Sequence, residues 1–377
     1  MPGWEIINFK EKKALNKIFE EGGILFAHGY DKLRKNFHVR EFERNVAKKF
    51  QIKNTLAVTS GTAAIKIGLK ALGVKPGDEV ITQAFNFIAT IEAILDVGAK
   101  PILTNINDTL NMDPKELKKM INKKTKAIVP VHMLGISAQM KEIIQIAKSK
   151  KIPILEDNCE AFGAKYNNKY LGTLCEMGVA SFDFHKTITC GEGGMLLTNN
   201  NKLIKYAREY HDHGHENNPK LPRGKDTSTI CGFNYRITEM QGVIGKEQLK
   251  KLDFVIKNNK KRYKILNEVL SKKFQIRNGP NNSEGIYDTF ILFEKNKYIR
   301  EKIINILKKY KFGTKNLPDA MEWHCAFYWN RALPKKQIRH VKKTKDILST
   351  AIAIPIFLKR SLKDYKTIAD KIHNLIN

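Results

Sequence analysis

The chain has 377 residues, 42% of them hydrophobic and 28% charged, which is enough for a large core and two lobes. Its longest apolar stretch, FNFIATIEAILDVGA, carries Glu92 and Asp96 and is too short and too charged to span a bilayer. The net charge of +29 comes from 67 Lys+Arg against 38 Asp+Glu, but the lysines are scattered through helical stretches such as KELKKMINKKTK, with no basic tail and no aromatic–basic repeat; a solvated Lys-rich surface, suited to anionic small molecules, is expected rather than a nucleic-acid interface.

The opening MPGWEIINFKEKK lacks the apolar core of a signal peptide, and a cytoplasmic setting is expected. Cys159, Cys175, Cys190, Cys231 and Cys325 form no CxxC pair, which predicts free thiols. From about residue 55 short apolar runs alternate with helical spacing. TLAVTS, DEVITQ, KPILTNI, KAIVPVHM and IPILED read as strands; GTAAIKIGLKALG, FNFIATIEAILDVG, DPKELKKMI and MKEIIQIAKSK read as the helices between them. The near-continuous apolar character of KAIVPVHM fits a strand buried on both faces. This alternation predicts an α/β fold of right-handed βαβ units around a mostly parallel sheet. GVASFDF and GMLLTN add two more strands. Beyond residue 200 a helix runs into a loop rich in His, Asn and Pro, a long helical stretch covers about 236 to 270, and mixed strands and helices follow. We expect a large unit over residues 1–255 and a smaller α+β unit over 256–377.

Three motifs carry chemistry. In VTSGTAA, Ser60, Gly61 and Thr62 sit where a strand gives way to a helix, a place for a phosphate, though the motif alone favours an ordinary N-cap. In ILEDNCEAFGA, Glu156 and Asp157 stand at the C-terminal end of a strand, the edge of an open α/β sheet where ligands bind. A carboxylate there can hold a protonated ring nitrogen by a charge-assisted bond. In SFDFHKTITCGEGG, Lys186 lies between a buried strand and a glycine-rich turn. Desolvation there is expected to make the amine lose its proton readily and act as a Schiff-base nucleophile; a surface lysine on a loop is the alternative. Phosphate cradle, carboxylate and lysine, in that order on an α/β chain with 29 residues from Asp157 to Lys186, are the parts pyridoxal 5'-phosphate requires.

SGTAA, TQAFNFIAT, NMDPKEL, VHMLG, EDNCEAFGA, SFDFHKTITCGEGGMLLTN and GFNYRITEMQGVIG follow one another as in the DegT/DnrJ/EryC1/StrS family of sugar aminotransferases, and the resemblance covers roughly residues 1 to 255. It implies fold type I, with pyridoxal phosphate as cofactor and L-glutamate and a keto-sugar as substrates. Within the family, MPGWE, GILFAHGYDKLRKNFHVREFE, DHGH and TITCGEGG resemble the branch that makes 8-amino-3,8-dideoxy-manno-octulosonate, an amino form of the lipopolysaccharide sugar Kdo. A nucleotide-linked 4-keto-6-deoxy sugar is the alternative substrate, and dehydration the alternative reaction. The resemblance gives Lys186 the cofactor linkage and proton transfer, Asp157 the pyridine nitrogen, and Phe87 the stacked ring. Ser60, Gly61, Thr62 and Ser181 fall to the phosphate. Asn234 is implied to reach the neighbouring subunit's cofactor in a homodimer. Glu160 lies where many members carry Gln or His near the cofactor's phenolic oxygen, which a carboxylate would repel; either it is protonated or it points elsewhere.

The family's dehydratases replace the lysine with histidine, and His185 adjoins Lys186. The reactive position lies five residues before Gly191, which is Lys186. His185 is expected to pack or touch substrate. Arg34, Arg40 and Arg223 are candidates for a substrate carboxylate, with surface ion pairs as the alternative. His211, His213 and His215 have a spacing open to metal, but a substrate-contacting loop, with His213 on it, is expected and no metal. WHCAFYW, residues 323 to 329, can line a sugar pocket or pack the lobe.

Overall fold

The computed structural model describes residues 3–30, 32–218 and 220–376; Met1, Pro2, Asp31, Pro219 and Asn377 lie outside them, among them two of the five MPGWE positions. The predicted strands form as β1 (Asn54–Val58), β2 (Glu79–Gln83), β3 (Lys100–Thr104), β4 (Thr125–Val129) and β5 (Leu155–Asp157). A hairpin of β6 (Lys165–Tyr166) and β7 (Lys169–Tyr170) leads to β8 (Met177–Ser181) and β9 (Gly194–Thr198). Two sheets, β3-β2-β4 and β1-β9-β8-β5, meet through the parallel bridges Ile128–Ile154 and Val131–Asp157, giving the order β3-β2-β4-β5-β8-β9-β1. β9 runs antiparallel to both neighbours, while β2, β3, β4, β5 and β8 pair in parallel. Nothing in GMLLTN signals that reversal. Its effect is geometric: the C-terminal ends of β1, β5 and β8 and the N-terminal end of β9 share one edge.

Helices cover both faces. α1 (Phe9–Glu20) and α2 (His38–Phe50) precede the sheet, α3 (Gly61–Ala71), α4 (Ala89–Asp96), α5 (Pro114–Met120) and α6 (Met140–Lys150) alternate with its strands, and α7 (Asn201–Tyr210) follows β9. The two-residue period of a strand sends neighbours to opposite layers. Leu56 and Val58 of β1 join Ala64 and Ile67 of α3 in one core, whereas Ala57 joins Val39, Phe42 and Val46 of α2 in the other. Burying a side chain such as Phe42, with no exposed surface, stabilises by about 1.5–3 kcal/mol.

The predicted helical stretch after residue 236 is two helices, α8 (Glu239–Leu249) and α9 (Leu252–Leu270), separated at Lys250 and Lys251. α9 runs across the 255/256 position: Leu252 belongs to the core under α2, and Leu266 and Leu270 to the core of the smaller unit. That core holds the antiparallel sheet of β10 (Gln275–Ile276), β12 (Thr289–Phe293) and β13 (Ala351–Pro355); β11 (Ser283–Glu284) pairs instead with β6. Helices Lys297–Lys309 and Leu362–His373 cover it. The segment between β12 and β13 returns to the large unit, where Leu317, Cys325 and Leu348 pack with Phe85 and Val131. Among the described residues no helix is long and apolar enough to cross a membrane.

Candidate active site

The shared sheet edge opens into a cleft of about 690 Å3 lined by Ser60, Gly61, Thr62, Asp157, Ser181 and Lys186. Ser60 is the N-cap of α3. Its extended backbone lets Oγ accept the Ala63 N–H at 3.1 Å, which leaves the first N–H groups of the helix facing the cleft. The N-cap and the expected phosphate position thus coincide at one turn. The close approach of three segments there requires glycine: a Cβ on Gly61 would lie 2.9 Å from Ser181 Cβ and 3.0 Å from Cys159 Sγ, and one on Gly194 would lie 2.1 Å from the Ser60 carbonyl oxygen.

The two acids at the end of β5 separate by the strand's alternation. Glu156, fully buried, accepts the N–H groups of Gly172, Leu174 and Cys175 at 2.6–2.8 Å, with His132 Nε2 at 3.4 Å. It holds a loop. Asp157 lines the cleft; its Oδ2 accepts from Thr90 Oγ1 at 3.0 Å and its Oδ1 from the Cys159 N–H at 3.1 Å.

Lys186 reaches inward from the turn after β8, its backbone N–H donating to the Asp183 carbonyl at 3.0 Å and its Nζ donating to Glu160 Oε1 at 2.6 Å. Burial pulls the amine's affinity for its proton down, and the carboxylate of Glu160 overrides it, holding Lys186 above the ordinary lysine value. The expected easily deprotonated lysine is therefore corrected: desolvation is present but its partner reverses the sign. Burial likewise raises Glu160, and Lys186, with Lys315 and His324, brings it down to about 2. Glu160 Oε2 is buried with no hydrogen-bond partner. Of the two readings for Glu160, the geometry favours the second: its carboxyl is directed at Lys186.

His185, by contrast, is exposed; its N–H donates to Asp183 Oδ1 at 3.0 Å and its ring lies 5.3 Å from Phe184. Phe87 is 46% exposed at the cleft, its ring 5.5 Å from His324. His324 is the part of WHCAFYW that lines the cleft, whereas Trp329 packs with Ala84 and Ile91. Lys315, also at the cleft, donates to Asp288 Oδ2 and Thr289 Oγ1 at 2.9 Å. Lys315 and Thr90 were not singled out from sequence, and His324 only as part of the WHCAFYW stretch. A lone Lys, His or Thr in a helix or loop carries no local signal of the cleft it will meet.

The remaining candidates stand elsewhere in the single chain. Arg34 forms a buried ion pair with Glu239 at 3.4 Å, and Arg40 lies 4.2 Å from the centre of the Phe37 ring. Arg223 and Arg236 both donate to the fully buried Asp212 at 2.5 Å. Burial tends to raise Asp212, but the two guanidiniums hold it well below the usual carboxylate range. Asn234 Oδ1 accepts the Arg236 N–H at 3.4 Å on the same loop. His213 is exposed, His211 Nδ1 meets the Arg208 carbonyl at 2.5 Å, and His215 pairs with Asp226 at 3.3 Å. Among the described residues no three His, Cys, Asp or Glu side chains are grouped to hold a metal.

The family model of the DegT/DnrJ/EryC1/StrS aminotransferases matches residues 27–373. The chain belongs to that family. The match runs through the smaller unit, well beyond the stretch the motifs cover. The chain is 33% identical over 282 residues to a GDP-perosamine synthase of Escherichia coli O157:H7, spanning 74% of this chain and 73% of that one. It superposes on an aminotransferase from Psychrobacter cryohalolentis with TM-score 0.87 and 24% identity, covering 99% and 98% of the two chains. An E. coli GDP-4-keto-6-deoxy-D-mannose-3-dehydratase with bound hydrated PLP superposes with TM-score 0.83, 23% identity and 97% coverage of each chain. The fold is fold type I, and the protein is a PLP-dependent aminotransferase of the sugar-aminotransferase family. The donor set lining the cleft is of the kind that cofactor requires: helix-opening N–H groups that would meet its phosphate, and the carboxylate of Asp157 and the amine of Lys186 that would meet its ring nitrogen and carbonyl carbon.

Proposed function

We propose that this protein moves the amino group of L-glutamate to a keto-sugar, with Lys186 and Asp157 as the working side chains. The observation that carries the proposal is the meeting of Lys186, Asp157 and the capped start of α3 in one cleft. Ser60, Gly61, Thr62 and Ser181 hold the phosphate group, where helix N–H groups and hydroxyls favour an anion. Phe87 offers its ring face. Asp157, anchored by Thr90 and the Cys159 N–H, keeps a protonated nitrogen in place by a charge-assisted bond. The chemistry contributed by bound PLP is an electron sink for the carbanion formed beside the amino nitrogen. Lys186, with its amine free, would be the base that removes the proton from the amino-bearing carbon and returns it elsewhere.

The exposed position of His185 and the inward reach of Lys186 support transamination over dehydration, because imidazole cannot form the imine linkage that amino transfer requires. For the carbonyl substrate, our first reading is the 8-oxo form of a 3,8-dideoxy-octulosonate, on the resemblance of the TITCGEGG and DHGH stretches; lipopolysaccharide sugar synthesis in the cytoplasm is the matching setting. The second reading, a nucleotide-linked 4-keto-6-deoxy sugar, is favoured by the likeness to GDP-perosamine synthase. Arg34, Arg40, Arg223, His185 and His213 are the proposed substrate contacts. Those outside the chain's own cleft would act in a homodimer, in which Asn234 of one subunit serves the other's site. We also read residues 1–255 as the cofactor-binding domain and 256–377 as the smaller one.

Incubation with glutamate and a panel of keto-sugars, read by mass, separates the two substrates. Lys186→Ala is expected to abolish both the visible band of the bound cofactor and turnover. A variant that kept normal transamination would sink the assignment.

A further inference from the structure

The contact between Glu160 and Lys186 has no part in the roles assigned above, and it conflicts with a simple cofactor contact. An amine held as ammonium cannot attack a carbonyl carbon. A buried carboxylate beside the cofactor's phenolic oxygen would repel it. Both conflicts involve the same proton. We propose that Glu160 is the positioning and proton-accepting partner of Lys186: its Oε1 holds the ammonium in the cofactor-free protein and takes one of its protons before the lysine nitrogen attacks a carbonyl carbon. The step balances as one N–H bond broken and one O–H bond made, with no change of oxidation state. Lys186 becomes a neutral amine and Glu160 a neutral carboxylic acid.

The geometry supports it. The 2.6 Å contact is at the short end of charge-assisted hydrogen bonds, so the proton has little distance to travel. Glu160 sits in the tight turn after β5, fixed by the Ala161 N–H donating to the Asn158 carbonyl at 3.2 Å, and it has one buried oxygen, Oε2, with no donor. Once protonated, the carboxyl has an O–H to give and would no longer repel an anionic group in the cleft. The groups facing the pair come from several elements: Asp157 and Cys159 from the end of β5, Asp183, His185 and Glu192 from the turns around Lys186, and Lys315 and His324 from the segment between β12 and β13. Lys315 and His324 are the groups besides Lys186 that favour the ionised form of Glu160. They make the carboxylate a reluctant acceptor, so the proton stays on the amine in the cofactor-free protein.

The inference rests on the reading of Lys186 as the cofactor lysine, and its test separates the two. Trace labelling of the full-length cofactor-free protein with acetic anhydride, followed residue by residue by peptide mass spectrometry, gives the pH midpoint at which Lys186 becomes reactive. The midpoint is expected above that of exposed lysines such as Lys10, and Glu160→Gln is expected to lower it by at least about one unit, raising labelling at pH 8 about tenfold per unit. The pH profile for development of the visible band on adding PLP moves in the same direction. Coincident midpoints in wild type and Glu160→Gln overturn the role of Glu160. So does a wild-type midpoint at or below that of Lys10, a comparison that holds even where the variant does not fold. If Lys186→Ala still develops the band, the functional reading fails instead.

Discussion

Asp212 illustrates how a single buried charge is kept. Two guanidiniums, from Arg223 and Arg236, converge on a carboxylate with no exposed surface, and its pKa is depressed as a result. The stabilisation is fully present above the unfolded carboxylate's range near pH 4 and is lost as pH falls below it. Asp212→Asn is expected to cost roughly 3 kcal/mol at pH 7, because it strands two cations, less whatever solvent screens at the one-third-exposed Arg223. Urea unfolding should show that gap narrowing by about 1 kcal/mol at pH 3. A gap unchanged from pH 7 to pH 3 would mean that Asp212 is not held ionised. Much of the residue-level chemistry was legible beforehand. Register against Gly191 favoured Lys186 over His185, and of the two it is Lys186 whose side chain reaches inward, to Glu160. The partner of Lys186 was not legible, because Glu160 lies 26 residues earlier on another strand's turn.

Elements place these residues, and one reversed strand does most of the placing. Because β9 is antiparallel, its first residue, Gly194, is paired with both Val58 of β1 and Ser181 of β8. That brings the glycine-rich turn after Lys186 against the start of α3. Gly194→Ala would set a methyl 2.1 Å from the Ser60 carbonyl oxygen and 2.8 Å from the Gly61 nitrogen, backbone atoms that cannot step aside singly. We expect a loss of about 1–3 kcal/mol in urea unfolding together with weaker PLP binding, measured by titrating the visible band. Retention of wild-type affinity would show that the α3 start does not hold the phosphate. The strands and connecting helices followed from periodicity. The reversal of β9 and the break in the helix after residue 249 did not, since each depends on what the segment packs against.

For the whole molecule, the decisive fact is that the Asp212–Arg223–Arg236 cluster and Asn234 share a loop that does not line this chain's own cleft. If Asn234 serves a neighbour, inactive Lys186→Ala and Asn234→Ala chains should complement one another. Co-expressed in equal amounts, half of the dimers pair the two, each with one intact site, so about a quarter of wild-type specific activity should return. Activity no greater than the two variants assayed separately would place Asn234 within its own site.

By itself the sequence determined the α/β alternation, the phosphate–carboxylate–lysine order and the family, because each depends on local spacing along the chain. It also singled out Lys186 as the proposed reactive group. Tertiary structure decided the rest. It divided Glu156 from Asp157, since adjacent residues on a strand face opposite ways. It brought Thr90, Lys315 and His324 to the cleft from segments distant in sequence, and it paired Lys186 with Glu160, whose carboxylate secures the proton that burial alone would strip.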